Sequence, residues 1–292
     1  MDYERELMNL LDRTIASIDQ RLVLLAPPGV AVPDQFTTCD FDLDRHESLI
    51  QAIQRFRGSI YHEDGAIRRD QLSPDGLHLT PEDSQSWHLV VTNRDGGIDA
   101  CAWYRDYDSR VYFDRLRLKE SALARSPEWR DVLWKAVERE IADARREGLR
   151  YAELGGWAVA RESRSSAETL VLALATYALS RISGGALGIT TATNRHQSSS
   201  ILCRLGGRPL EAEGAVLPPY YDPHYDCLME IVRFDSRAPN PRYKGLVDQV
   251  HQRLLETTVV ARPYWPAMRS SHGTCAVSAA PTMAHTSPEM AA

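Results

Sequence analysis

Two hydrophobic periods alternate along the chain, one near four residues and one near two, and they mark out helices and strands. Residues 3–20 set leucines, Met8 and isoleucines at helical spacing and predict an amphipathic helix. Prolines break the pattern over 22–37, which reads as a connector, and Thr38–Leu43 fits an edge strand. Arg45–Tyr61 returns to the helical period, with Leu49, Ile50, Ile53 and Phe56 on one face. Residues 63–86 are polar and turn-rich, a loop long enough to expect a function of it. Trp87–Thr92 and Ile98–Arg105 then predict two strands, joined through Asp95-Gly96, a hairpin signal between apolar runs. Residues 110–119 alternate apolar and charged side chains and predict a half-exposed strand. Trp129–Arg146 predicts an amphipathic helix whose buried stripe includes Leu133, Val137 and Ile141, closed by Gly148.

The chain is organised around residues 149–207. Tyr151–Val159 is a strand pattern interrupted by Gly155-Gly156, which suggests a bulge or a close backbone approach. Arg161 and Arg164 follow, and a long apolar helix begins near Ser165 or Ser166. Free N–H groups and the dipole make a helix start an anion site, and arginines before it favour phosphate. The same serines also suit an N-cap. A strand and a short helix after it complete one βαβ unit. Beyond it, Leu210–Asp226 predicts an ordered loop, Cys227–Phe234 a last strand and Lys244–Thr257 a last helix. The expected organisation is an N-terminal helix and connector over 1–37, one α/β (α+β) domain over 38–258 and a tail over 259–292, disordered from about residue 265.

Composition narrows the class. The 292 residues are 43% hydrophobic and 25% charged, as in a soluble globular chain with a sizeable core. A net charge of −6 argues against broad nucleic-acid binding. No apolar run is long enough for a membrane span, and the first residues carry no signal-peptide pattern. The five cysteines lack metal-ligand spacing and read as reduced thiols, so the expected location is cytoplasmic and no metal is expected.

The residues then resemble a known family. Strand, broken strand end, Arg/Ser turn, helix and strand resemble the core of GNAT acyltransferases. The run Glu153-Leu154-Gly155-Gly156-Trp157-Ala158-Val159 is similar to the core strand of acyl-homoserine-lactone synthases and of long-chain N-acyl amino acid synthases. The resemblance covers roughly residues 38–235. It implies a central mixed, mostly antiparallel sheet flanked by helices in a single domain. It also implies an acyl thioester as co-substrate, carried by coenzyme A or by the phosphopantetheine of an acyl carrier protein. Gly156 stands where the family strand carries an arginine, which argues against lactone formation. The segment Arg161 to Ser166 replaces a glycine-rich pyrophosphate loop.

Acyl transfer to an amine needs a base, a polarised carbonyl and a held donor. Glu153 is the candidate base, because a protonated amine has no lone pair; an exposed strand glutamate or a partner of Arg105 is the plainer alternative. Backbone N–H groups of Trp157 or Val159 are the candidate oxyanion donors. Arg161, Arg164, Ser165 and Ser166 are the candidate phosphate set, with Ala158, Val159 and, by resemblance, Asn194 along the pantetheine. Arg55, Phe56, Arg57 and Tyr61 resemble an acceptor-side pattern, and Asp83 with Arg105 either grips a zwitterionic acceptor or forms a surface ion pair. The expected activity is amide-forming transfer of a medium or long acyl chain to an amino acid, a small amine or a Lys/ornithine side chain of a precursor peptide. The rivals are an acyl-homoserine-lactone-type synthase and a non-catalytic acyl-CoA-binding domain.

Overall fold

The computed structural model describes residues 10–11, 14–15, 21–108, 110–164 and 167–263. The helix predicted over 3–20, Ser165, Ser166 and the tail from 265 lie mostly or wholly outside them. The strand-period runs build one sheet. Its main path is β1 (Leu22–Leu25), β2 (Cys39–Phe41), β3 (Trp87–Thr92), β4 (Ile98–Tyr107), β5 (Arg150–Val159), β6 (Ala186–Thr193), β7 (Tyr220–Asp222), β8 (Cys227–Asp235) and β9 (Val259–Ala261). The spatial order is β7-β8-β6-β5-β4-β3-β1-β9-β2. Pairing is antiparallel except for β5 with β6, β1 with β9 and β9 with β2. The mixed, mostly antiparallel sheet is therefore the one expected, although it takes in strands on both sides of the 38–258 span. The apolar run Leu22–Leu25 precedes the proline pair, so it joins the sheet before the chain breaks away.

The helices are α1 (Leu43–Glu63), α2 (Arg130–Arg146), α3 (Ala167–Ile182), α4 (Ser198–Leu205) and α5 (Lys244–Glu256). Asp42 caps α1 by accepting the Arg45 N–H at 3.0 Å. Helix α3 is apolar around much of its circumference because it is buried between the sheet and α5. Helices α1 and α2 lie on the opposite face over two separate clusters, Ile53, Ile60, Val90 and Cys101 under α1, and Leu133, Val137, Ile141 and Tyr151 under α2. Each fully buried aliphatic side chain there contributes about 1.5–3 kcal/mol.

Residues 110–119 do not form the strand that their alternation predicts. They make two 3-10 turns, Phe113–Arg115 and Arg117–Glu120. Both edges of β4 and β5 are already paired, so no edge remains for another strand. The segment's N–H groups go to carboxylates instead, Phe113 to Glu138 and Arg117 and Leu118 to Glu153. Phe113, Leu116 and Leu118 are buried, which accounts for the alternating pattern.

Candidate active site

Strands β5 and β6 run in register from Arg150 opposite Ala186 to Leu154 opposite Thr190, and then separate. Strand β6 stays paired with β8 to Thr193 and β5 stays paired with β4 to Val159, so the sheet splits between them. On its other side the register with β4 jumps from Gly155–Trp103 to Ala158–Cys101, which leaves two residues of β5, Gly156 and Trp157, against Ala102 alone. This is a β-bulge, and Gly156 takes a φ of +62° to make it. The Trp103 ring covers both glycines. A Cβ at Gly155 or Gly156 would lie 2.3 or 2.2 Å from that ring. The aromatic ring therefore fills the room that a longer side chain at 156 would need.

A cavity of about 1050 Å³ opens at this separation. It draws its wall from both faces of the sheet: Arg57 and Tyr61 of α1, Leu116 and Leu118 of the 3-10 turns, Thr176 of α3 and Ile201 and Leu202 of α4. Residues 154–159 and 189–193 of the two parting strands line it together. The volume is at the upper end of the range for a single small ligand. Beyond it, the strand ends are tied through one residue. Asp64, at the end of α1, accepts Arg164 Nη2 on both carboxylate oxygens at 2.9 and 2.8 Å, and its backbone carbonyl accepts Arg195 Nη1 at 2.7 Å.

Glu153 sits on β5 at the seam between the two clusters, only 3% exposed, and it lines the cavity. Its Oε2 accepts the Tyr107 hydroxyl and the Arg117 N–H, both at 2.7 Å, and its Oε1 accepts the Leu118 N–H at 2.9 Å. Burial pushes its pKa above the ordinary carboxylate value, and these three donors hold it back. Tyr61 donates its hydroxyl to the Trp157 carbonyl at 3.1 Å, which fixes the bulge against α1. Burial pushes the Cys101 thiol up to about 12, so it is not a thiolate nucleophile at neutral pH.

Among the residues expected at a site, Tyr61, Arg105, Glu153, Trp157, Ala158, Val159 and Arg164 line this cavity. Arg105 lies with its guanidinium 4.6 Å from the Tyr107 ring centroid and does not meet Asp83. Arg164 is held by Asp64. Arg161 and Asn194 are exposed beyond the strand ends. Phe56 packs on the α1 cluster, and Arg55 points to solvent.

Arg57, two residues on, turns inward. Its position four after Ile53 and three before Ile60 places it on the apolar stripe. It is 1% exposed and reaches Asp83, with Nη2 donating to Oδ2 at 2.9 Å and Nη1 lying 2.8 Å from Oδ1 in charge contact without hydrogen-bond alignment. Asp83 Oδ2 also accepts Gln54 Nε2 and the Thr80 N–H, each at 3.0 Å. Burial opposes the charge on Asp83, but the Arg57 hydrogen bond and charge outweigh it and hold the carboxyl below its ordinary value. His78 joins the pair, and His78 and Glu82 line the cavity. His78 and Glu82 lie in the predicted loop, where no pattern marks them; Arg57 carried a signal, an arginine on a buried helical face. Above them, Gln71 Nε2 donates to His224 Nδ1 at 3.0 Å, and Tyr225 packs edge-on against Tyr61, so two loops close over this end.

Among the described residues no group of three or more His, Cys, Asp or Glu is placed to hold a metal, and no helix is long and apolar enough to cross a membrane. No family model matches the chain, and no curated protein matches it. Among solved structures the chain is similar to BjaI, a CoA-dependent acyl-homoserine lactone synthase seen with SAM and isopentyl-CoA. The TM-score is 0.50 at 13% identity, over 85% of this chain and 97% of that one. The same synthase with MTA gives 0.50 at 14%, over the same shares. FeeM, an N-acyl amino acid synthase from uncultured soil microbes, gives 0.42 at 12%, over 68% of this chain and 88% of that one. The chain has the fold of a CoA-dependent acyl-homoserine lactone synthase, the GNAT-like mixed sheet that opens between its two central parallel strands.

Proposed function

We propose that this chain is an N-acyltransferase. It moves a medium or long acyl chain from a coenzyme A or acyl-carrier-protein thioester to the amine of an amino acid, a small amine or a peptide side chain. The observation that carries this reading is the cavity through the sheet where β5 parts from β6 beside a bulge. An extended pantetheine arm suits such a gap, because backbone groups freed from strand pairing bond it as a neighbouring strand would. The fold shared with BjaI supports a thioester donor.

In this reaction the amine nitrogen attacks the thioester carbon, a C–N bond forms, the C–S bond breaks and the sulfur leaves as thiolate. The amine proton passes to Glu153 at Oε1, which accepts one hydrogen bond where Oε2 accepts two. A carboxylate raised by burial is a better base than an ordinary one. The N–H groups of Trp157 and Val159 stabilise the oxyanion at the bulge, about 3 kcal/mol for one well-aimed donor. Arg161 and the start of α3 receive the donor phosphate, and Arg161, Arg204 and Arg208, all exposed, give an acidic carrier protein a basic approach.

A second reading, synthesis of an acyl-homoserine lactone from SAM, is favoured by the fold of BjaI. Thiol release from acyl-CoA, followed with a panel of amines and with SAM, tests both. Amine-dependent release without SAM, with an amide product by mass spectrometry, supports the first. A strict SAM requirement and release of MTA support the second. Donor binding with no turnover on any acceptor overturns both in favour of a binding domain.

A further inference from the structure

We infer that His78 is a fixed hydrogen-bond donor to the acceptor substrate, which it grips at a carboxylate or carbonyl oxygen through Nε2–H rather than taking a proton from the amine. The term acceptor rests on the acyl-transfer reading, but the state of the ring does not.

Arg57 fixes the His78 ring. Its Nε donates to His78 Nδ1 at 3.0 Å, and its Nη2 donates to the His78 backbone carbonyl at 2.6 Å. A guanidinium has donors only and stays charged, so Nδ1 must be the accepting nitrogen. The neutral ring then carries its proton on Nε2. Asp83 holds Arg57 from the other side, which fixes the guanidinium and with it the tautomer. His78 is 6% exposed and lines the cavity, and the ring's hydrogen bond among the described residues is the one at Nδ1, which leaves Nε2 for a ligand. Tyr61 links it to the bulge, its ring edge-on to the imidazole with centroids 5.4 Å apart and its hydroxyl on the Trp157 carbonyl.

Burial and the charged groups Arg57, Arg117 and His224 disfavour the charged ring, and Asp83 favours it. Arg57 and Tyr61 face it from α1, Asp83 from the turn before β3, Arg117 from the 3-10 turns and His224 from the loop before β8. Burial, and then Arg57, push its pKa down to about 4, while Asp83 alone pulls it up with a charge already committed to Arg57. The ring is thus neutral with Nε2 protonated through the physiological range. It has no lone pair left to act as a base and repels an ammonium, but it welcomes an oxygen.

Two variants separate the anchor from the donor. His78→Asn places an amide oxygen where Nδ1 was, so Arg57 stays bonded while the Nε2–H is lost. His78→Gln places an amide nitrogen near Nε2 and abandons Arg57. For the acceptor, His78→Asn is expected to raise KM about tenfold or more while the thioester KM holds and Tm stays near wild type. His78→Gln is expected to lower Tm and to keep the acceptor KM closer to wild type. Nitrogen-15 NMR of the full chain labelled at histidine is expected to show His78 neutral, protonated on Nε2 and untitrated from pH 5.5 to 8. A proton on Nδ1, a charged ring in that range or an unchanged acceptor KM in His78→Asn overturns the inference. If the wild type acylates nothing, the acyl-transfer reading fails, and the NMR tautomer then decides the donor assignment alone.

Discussion

Asp83→Asn tests the buried polar cluster directly. The substitution keeps the shape of the side chain and removes its charge. It leaves the Arg57 guanidinium, 1% exposed, with no anion in contact, and it replaces one of the oxygens facing Arg57, Gln54 and Thr80 with an amide nitrogen. Removing one partner of a buried ion pair costs about 3–5 kcal/mol. At roughly 2–4 °C per kcal/mol for a domain of this size, Tm falls by about 6–20 °C. Circular-dichroism melts and urea titrations measure it, with an unchanged m-value showing that stability rather than compactness has moved. The decisive variant is Arg57→Met combined with Asp83→Asn. Methionine keeps much of the arginine stem's bulk and removes the stranded charge, so the double variant should be more stable than Asp83→Asn alone. A loss under about 1 kcal/mol in Asp83→Asn, or a double variant that merely adds the two single losses, would refute the reasoning.

Acidification should weaken the fold before the carboxylates titrate: burial pushes His78 and His88 down to about 4 from 6.5, and His88 Nδ1 is buried with no partner. Between those values the unfolded chain binds more protons, so stability falls as pH drops through that window, on the order of a few kcal/mol by its lower end, and a flat Tm from pH 6.5 to 4.5 would contradict this. Glu153→Gln should cost about 1–3 kcal/mol by setting an amide N–H among three donors, and lower acyl transfer about a hundredfold or more. Tyr107→Phe removes one of the same hydrogen bonds and should lower Tm while leaving the rate within about tenfold of wild type; equal rate losses in both would make Glu153 a structural group. Gly156→Ala meets both a φ of +62° and the Trp103 ring, so Tm and thioester affinity should fall together, as read by melting and by acyl-CoA titration.

The helices were legible where one face meets solvent, and the β3–β4 strands where a turn signal separates two apolar runs. Trp87–Thr92 coincides with its predicted span, and α1 and α2 fall within two residues of theirs. Alternation misled at 110–119 because period two reports which side chains are buried, not where the backbone hydrogen bonds go. The glycine pair announced the bulge, but only the neighbouring strand reveals that Trp103 occupies the space beside it. The cavity wall was legible along β5, where glycines, an acid and a strand period coincide. It was not legible at His78 and Glu82, which lie in a loop without periodicity and are placed by Arg57, itself buried against the usual preference for arginine.

The residue that joins the strand ends has a consequence for how the cavity is used. Arg164 follows β5, Arg195 follows β6, and Asp64 holds the first by its side chain and the second by its backbone. Asp64 therefore acts as a caliper across the parted strands, alongside the Tyr61 bond to the bulge, and holds their spacing before any ligand arrives. A ligand sliding into the aperture finds it already open at a fixed width and need not wedge it apart. Binding free energy that would otherwise go into separating strands remains available for orienting the reacting groups. A change of side chain at position 64 would release the Arg164 jaw while the backbone carbonyl still holds Arg195, and the gap would lose its calibration on the β5 side.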